Sequence, residues 1–178
     1  MKRPIRVLAL LTVLSFVAST LALSNPAEHE HAAAKPSPLD RLKRLEGEWV
    51  GKAGAGEQKM DATVVYHVTA AGSAVMETLF PGGKEEMVTL YTLNGGQLAL
   101  THYCAAGNQP RMKARKSSAA NELSFEFAGG PGIDPGADMH MHAAKLVFVD
   151  DDHLRSEWTA FEKGKVSHVM VFELERKR

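Results

Sequence analysis

From Glu48 to Glu175 the chain alternates apolar and polar residues with a period of two, broken at short intervals by Gly, Pro, Asn and Asp. That period belongs to β-strands with one face buried, and the breaks to hairpin turns. It predicts ten strands: 48–54, 60–70, 74–80, 85–93, 97–104, 111–116, 122–128, 138–149, 154–162 and 165–175. The connections Pro81-Gly82-Gly83, Asn94-Gly95-Gly96, Asp150-Asp151-Asp152 and Lys163-Gly164 have tight-turn chemistry. Sequential hairpins favour an up-and-down meander, because parallel pairing needs crossover helices and no second helical pattern is present. Just before the first strand the period is helical. Ser37 is placed to cap a short helix with Pro38 at its first position and Asp40 in its first turn, and Leu39, Leu42 and Leu45 form one apolar stripe suited to plugging a barrel end. Gly47 reads as the end of this helix. The expected fold is all-β, an up-and-down antiparallel barrel of about ten strands with one short N-terminal helix.

The segment Gly129 to Ala137 (GGPGIDPGA) breaks the hairpin rhythm and reads either as a lid over the barrel mouth or as a long hairpin loop.

The first residues carry export chemistry. Lys2, Arg3 and Arg6 precede an apolar run from Val7 to Ala18 that falls short of the ~20 residues spanning a bilayer. Small residues then offer cleavage after Ala22 or after Ser24, so residues 1–24 read as a signal peptide and 25–36 as a flexible linker ahead of one domain, 37–178. The expected location is periplasmic or secreted, with no membrane span left after cleavage.

Charge and cysteine content narrow the function classes. The 21 basic and 21 acidic residues of the full chain become 18 and 21 once the signal is removed, a formal −3 that argues against nucleic acid as a partner. The single cysteine, Cys104, allows no intrachain disulfide, so closure and core packing carry the stability. No Ser-His-Asp order, phosphate-binding glycine loop or CxxC element is present, which leaves hydrolases and redox enzymes of those types without support.

The helix followed by Leu45-Glu46-Gly47-Glu48-Trp49-Val50-Gly51 resembles the start of lipocalin-like (calycin) barrels, in which Gly-x-Trp begins the first strand and the Trp closes one end. Phe148-Val149-Asp150-Asp151-Asp152-His153 and the finish Glu175-Arg176-Lys177-Arg178 look like those of bacterial lipocalin-like proteins of unassigned function, and Thr101 to Met112 (THYCAAGNQPRM) is similar to a signature of exported members. The resemblance covers roughly 37–178. Ten strands are closer to fatty-acid-binding and nitrobindin-like barrels than to eight-stranded lipocalins. The Arg-x-Tyr element that holds a carboxylate on the last strand of fatty-acid-binding barrels is replaced here by Ser167-His168-Val169-Met170. Resemblance to nitrobindin-like barrels implies a late histidine on haem iron, and His168 is the residue placed for it.

Candidate chemistry concentrates at two places. In Asp138-Met139-His140-Met141-His142, alternation puts His140 and His142 on one face, ~6.5 Å apart along a strand, a spacing that suits two ligands on one Zn or Cu ion with a third from His102, His168 or Cys104. Solvent-facing or rim positions are the plainer alternative. In Thr101 to Met112, His102 and Cys104 share a face, and an inward Arg111 would need an acidic partner or an anionic ligand, although a surface position is the ordinary one for Arg. Trp49 and Trp158 read as barrel-end and lumen-wall packing, and Glu77 and Glu157 as solvent-facing or as partners of Arg111 or Arg155. The expected function is that of an exported, monomeric or weakly associating barrel binding a small apolar or amphipathic molecule, with Arg111, Trp158, His102 and Tyr103 as lining. The rivals are a metal or haem barrel using His140, His142 or His168, and an envelope interaction module whose lumen is filled. No cofactor is specified by the residues.

Overall fold

In the computed structural model, residues 37–116 and 119–178 are described. The signal and linker readings lie outside them. The helix α1 spans Pro38–Lys43, and ten strands follow: β1 (Gly47–Ala55), β2 (Gln58–Thr69), β3 (Ala74–Leu79), β4 (Met87–Asn94), β5 (Gln97–Tyr103), β6 (Arg111–Arg115), β7 (Glu122–Phe127), β8 (His140–Phe148), β9 (His153–Glu162) and β10 (Lys165–Arg176). Each strand pairs antiparallel with its neighbours in sequence, and β1 pairs with β10, so the meander closes into a barrel. Closure leaves no sheet edge exposed. Among the described residues no helix is long and apolar enough to cross a membrane.

The helix forms as its first residues dictate. Ser37 Oγ accepts from the Leu39 amide at 3.2 Å, and the Asp40 carboxylate accepts from the Ser37 amide at 2.7 Å, a reciprocal cap for two otherwise orphaned donors. The helix ends at Lys43 rather than at Gly47, which with a φ of +123° already opens β1. Leu39, Leu42 and Leu45 are buried, and α1 packs against β2, β3, β4 and β5. The helix therefore stoppers one end of the barrel.

Inside that stoppered half the lumen is solid. Trp49, Tyr66, Tyr91, Leu98, Leu100, Met112, Phe125 and Leu154 are buried there as one continuous core. Trp49 Nε1 donates to the Leu45 carbonyl at 2.8 Å, so the buried indole is satisfied locally. The filled lumen expected of an interaction module thus describes one half of the barrel, and the other half holds a cavity.

The long β7–β8 connection is a hairpin loop held by its own bonds and by neighbouring turns. Asp134 N donates to the Asp138 carboxylate and Gly136 N to the Asp134 carboxylate, both at 2.8 Å, while Asn108 Nδ2 in the β5–β6 turn donates to the Met139 carbonyl at 2.7 Å.

Candidate functional site

Glu77 on β3, Thr89 on β4 and His102 on β5 are direct cross-strand neighbours at one level of the barrel. All three are buried. The Tyr66 hydroxyl donates to one Glu77 carboxyl oxygen at 2.6 Å and the Tyr91 hydroxyl to the other at 2.9 Å. Burial pushes the Glu77 carboxyl up from its ordinary value, and the neighbouring Tyr66, Tyr91 and Thr89 hydroxyls pull against that rise. Burial first, and the Glu77 charge second, push both tyrosines well above their ordinary value, so they remain donors.

The next member of this row is His102. Its Nδ1 lies 2.9 Å from Thr89 Oγ1, and its ring lies against the Trp158 ring from β9, 4.7 Å between centres with 35° between planes. His102 Nε2 and Trp158 Nε1 are both buried and have no hydrogen-bond partner among the described residues. An orphaned buried polar atom costs about 1–3 kcal/mol, so two side by side call for an explanation. Burial also depresses the His102 pKa to about 4, which keeps the imidazole neutral at physiological pH.

These two rings line a cavity of about 80 Å³ at the end of the lumen away from α1, with Leu79, Phe80, Met87, Met141, Met170 and Phe172 as apolar walls and Met60 and Glu85 also contributing. The larger grooves, about 440 to 510 Å³, are more open and lie among surface side chains such as Lys52, Arg155 and Glu173, or Arg111 and Lys113. The small cavity is the place where unsatisfied polarity meets an enclosed apolar surface, the arrangement of small-molecule sites.

Of the residues singled out in the sequence, His102 and Trp158 meet at this cavity. Arg111 and Tyr103 do not line it: each alternates with a buried residue, Met112 and His102, and both are exposed. Among the described residues no cationic side chain lines the cavity, so Arg111 holds no anion there. Cys104 falls in the turn after β5, its amide bonded to the Asn108 carbonyl. Glu157 is partly buried and pairs with Lys145 at 2.8 Å and with Arg155.

His140 and His142 come together differently from a metal pair. The β8 register shifts between Met141 and Ala143, Met141 lines the cavity, and the two histidines pack against Phe127 and Phe161 instead. The His142 ring stacks on Phe161 at 3.8 Å between centres, and His140 Nε2 faces His142 Nδ1 at 3.0 Å. Because His140 Nδ1 lies 2.9 Å from the Asp138 carbonyl, it carries the proton there, and Nε2 accepts from His142. Two nitrogens in a mutual hydrogen bond do not converge on an ion. Among the described residues no group of three or more His, Cys, Asp or Glu is gathered to hold a metal.

His168 is half-buried on β10 opposite Ala160, its Nδ1 3.4 Å from Ser167 Oγ, and it does not line the cavity. The residues present do not fit a haem: about 80 Å³ is far below the ~300 Å³ at which pockets for drug-sized molecules begin.

The molecule is thus a closed ten-stranded antiparallel barrel, stoppered at one end and hollow at the other. Solved structures that share its fold include the following two. Rv2717c from M. tuberculosis matches with a TM-score of 0.54 and 17% identity over 81% of this chain and 100% of that one. A protein of unknown function from the DUF3598 family of Nostoc punctiforme matches with a TM-score of 0.52 and 14% identity over 82% of this chain and 53% of that one. No family model matches the chain, and no curated protein does.

Proposed function

We propose that this chain is a binding barrel that holds a small, largely apolar molecule at the hollow end of its lumen. The observation that carries the reading is the pair of partnerless buried polar atoms, His102 Nε2 and Trp158 Nε1, on the wall of an otherwise apolar cavity. The cavity size sets the ligand class: a few heavy atoms, or the tip of a longer molecule whose remainder leaves past Met60. Methionines at 87, 141 and 170 suit such a site, because unbranched thioethers adjust to ligands of different outline. Export forms part of the same proposal and rests on residues 1–24, with Lys2, Arg3 and Arg6 ahead of the apolar run.

The test is a thermal-shift and NMR screen of small aromatic and aliphatic molecules against the protein and its Met141→Trp variant, which fills the cavity. Ligands that raise the melting temperature of the first and not of the second support the reading. A screen in which none acts, or in which the filled variant responds equally, overturns it. Fractionation of the producing cells, with the intact mass of the protein recovered, tests export.

A further inference from the structure

Resting on the lumen reading, we propose that the cavity recognises a hydroxyl group, which donates to His102 Nε2 and accepts from Trp158 Nε1–H, and that Glu77 acting through Thr89 fixes the imidazole tautomer this requires.

The directions of the bonds lead to this assignment. Trp158 Nε1–H is a donor in every protonation state, so whatever satisfies it presents an acceptor. His102 Nε2 is a donor or an acceptor depending on where the single ring proton sits, and Thr89 decides that. The Glu77 carboxyl takes hydroxyl hydrogens from Tyr66 and Tyr91 on its two oxygens, and Thr89 is its register partner on β4, between it and His102 on β5. In this scheme Glu77 is the ionised carboxylate, which only accepts: Thr89 turns its one proton to it and offers His102 a lone pair. The ring proton is then on Nδ1, directed at Thr89, and Nε2 presents a bare lone pair to the cavity. One wall therefore offers an acceptor and a donor from rings 4.7 Å apart. A single alcohol or phenol oxygen satisfies both, since it carries one O–H and two lone pairs.

Competing groups meet the site less well. A hydrocarbon leaves both polar atoms unpaired. A carboxylate has no proton for Nε2, meets an imidazole that stays neutral, and approaches past the Glu85 carboxylate with no lining cation to offset it. Glu77 and Thr89 are positioning residues in this scheme: neither lines the cavity.

Phenol, toluene and benzoate, similar in size, are titrated into the protein and into Thr89→Val and Thr89→Ser, while the His102 ring nitrogens are read by long-range ¹H–¹⁵N correlation. The expected result is phenol binding about tenfold or more tighter than toluene, with benzoate weakest and His102 protonated on Nδ1. Thr89→Val moves the proton to Nε2 and abolishes the phenol preference while toluene binding is unchanged, and Thr89→Ser restores both. A Thr89→Val protein that is folded by its amide spectrum and keeps the Nδ1 tautomer overturns the positioning role. Toluene binding as tightly as phenol overturns the hydroxyl assignment and leaves the lumen reading standing. Binding of none of the three overturns both.

Discussion

The Arg176 guanidinium carbon sits 4.4 Å from the centre of the Trp49 ring, across the β1–β10 seam where the two residues are register partners. From there the guanidinium donates to the Arg44 and Glu46 carbonyls, each at 2.9 Å. One side chain near the end of the chain thus ties the last strand to the helix–strand junction at the start, and its planar fork supplies both the stacking face and the parallel donors.

Replacing it separates those contributions. Arg176→Met keeps part of the packing on Trp49 and loses the cation and every donor, and is expected to cost about 2 kcal/mol. Arg176→Lys, with a compact charge and no fork, is expected to recover less than half. Urea unfolding measures both, and a Met variant as stable as the parent contradicts the seam account.

Gly51 marks a second close approach on the same seam. A Cβ there would lie 2.0 Å from the Glu173 carbonyl oxygen of β10, a backbone atom that cannot step aside. Gly51→Ala is expected to destabilise by at least the ~1–3 kcal/mol typical of overpacking, because the strand itself must shift. An unchanged urea midpoint would count against the seam geometry.

The buried acidic row predicts an asymmetry. Tyr66→Phe and Tyr91→Phe each remove one hydroxyl bond to Glu77 and are expected to cost about 1.5–3 kcal/mol. Glu77→Ala strands both hydroxyls and opens a void, so it should cost more than either. Chemical denaturation of the three variants gives the order, and a Glu77→Ala protein more stable than both tyrosine variants would refute it.

His102 gives the pH dependence its sign. Its folded pKa of about 4 lies below the ordinary 6.5, so between those values the unfolded chain binds the proton and the folded one does not. The neutral imidazole's contribution is therefore complete above pH 6.5 and is lost as pH falls towards 4, about 3 kcal/mol in all. The burial-depressed His142 adds in the same direction, while the raised Glu77 opposes it at the acidic end. His102→Gln should flatten unfolding free energy between pH 6.5 and 4, and equal slopes for variant and parent would contradict a desolvated imidazole.

The strand pattern was legible because alternation is a local property. All ten strands stand where period-two reading places them, most within two residues at either end, and Ser37, Pro38 and Asp40 announce the helix. The site was legible by half. His102 and Trp158 are recognisable as polar and aromatic members of an inward face, but which atoms lack partners depends on the cross-strand row Glu77–Thr89–His102, and register between strands is a tertiary fact. Arg111 and Tyr103 went with His102 in the sequence because they are near it in the chain, yet alternation sends Tyr103 outward and Arg111 follows the opposite face from Met112. For His140 and His142 the spacing suggested shared metal ligation, and the register shift between Met141 and Ala143 places them in a ring stack with Phe127 and Phe161. A bulge leaves no mark in composition that alternation can read.

The central claim is that the Trp158 indole N–H waits in the lumen for a ligand atom, and the two indole signals of the ¹H–¹⁵N spectrum test it directly. Trp49 Nε1–H is already bonded to the Leu45 carbonyl and serves as the internal control. Titration with phenol should shift the Trp158 signal downfield in a saturable way, leave the Trp49 signal in place, and lose its effect in Met141→Trp. A Trp158 signal that stays fixed at saturating phenol, or that moves only together with Trp49, would contradict a binding site at this end of the barrel.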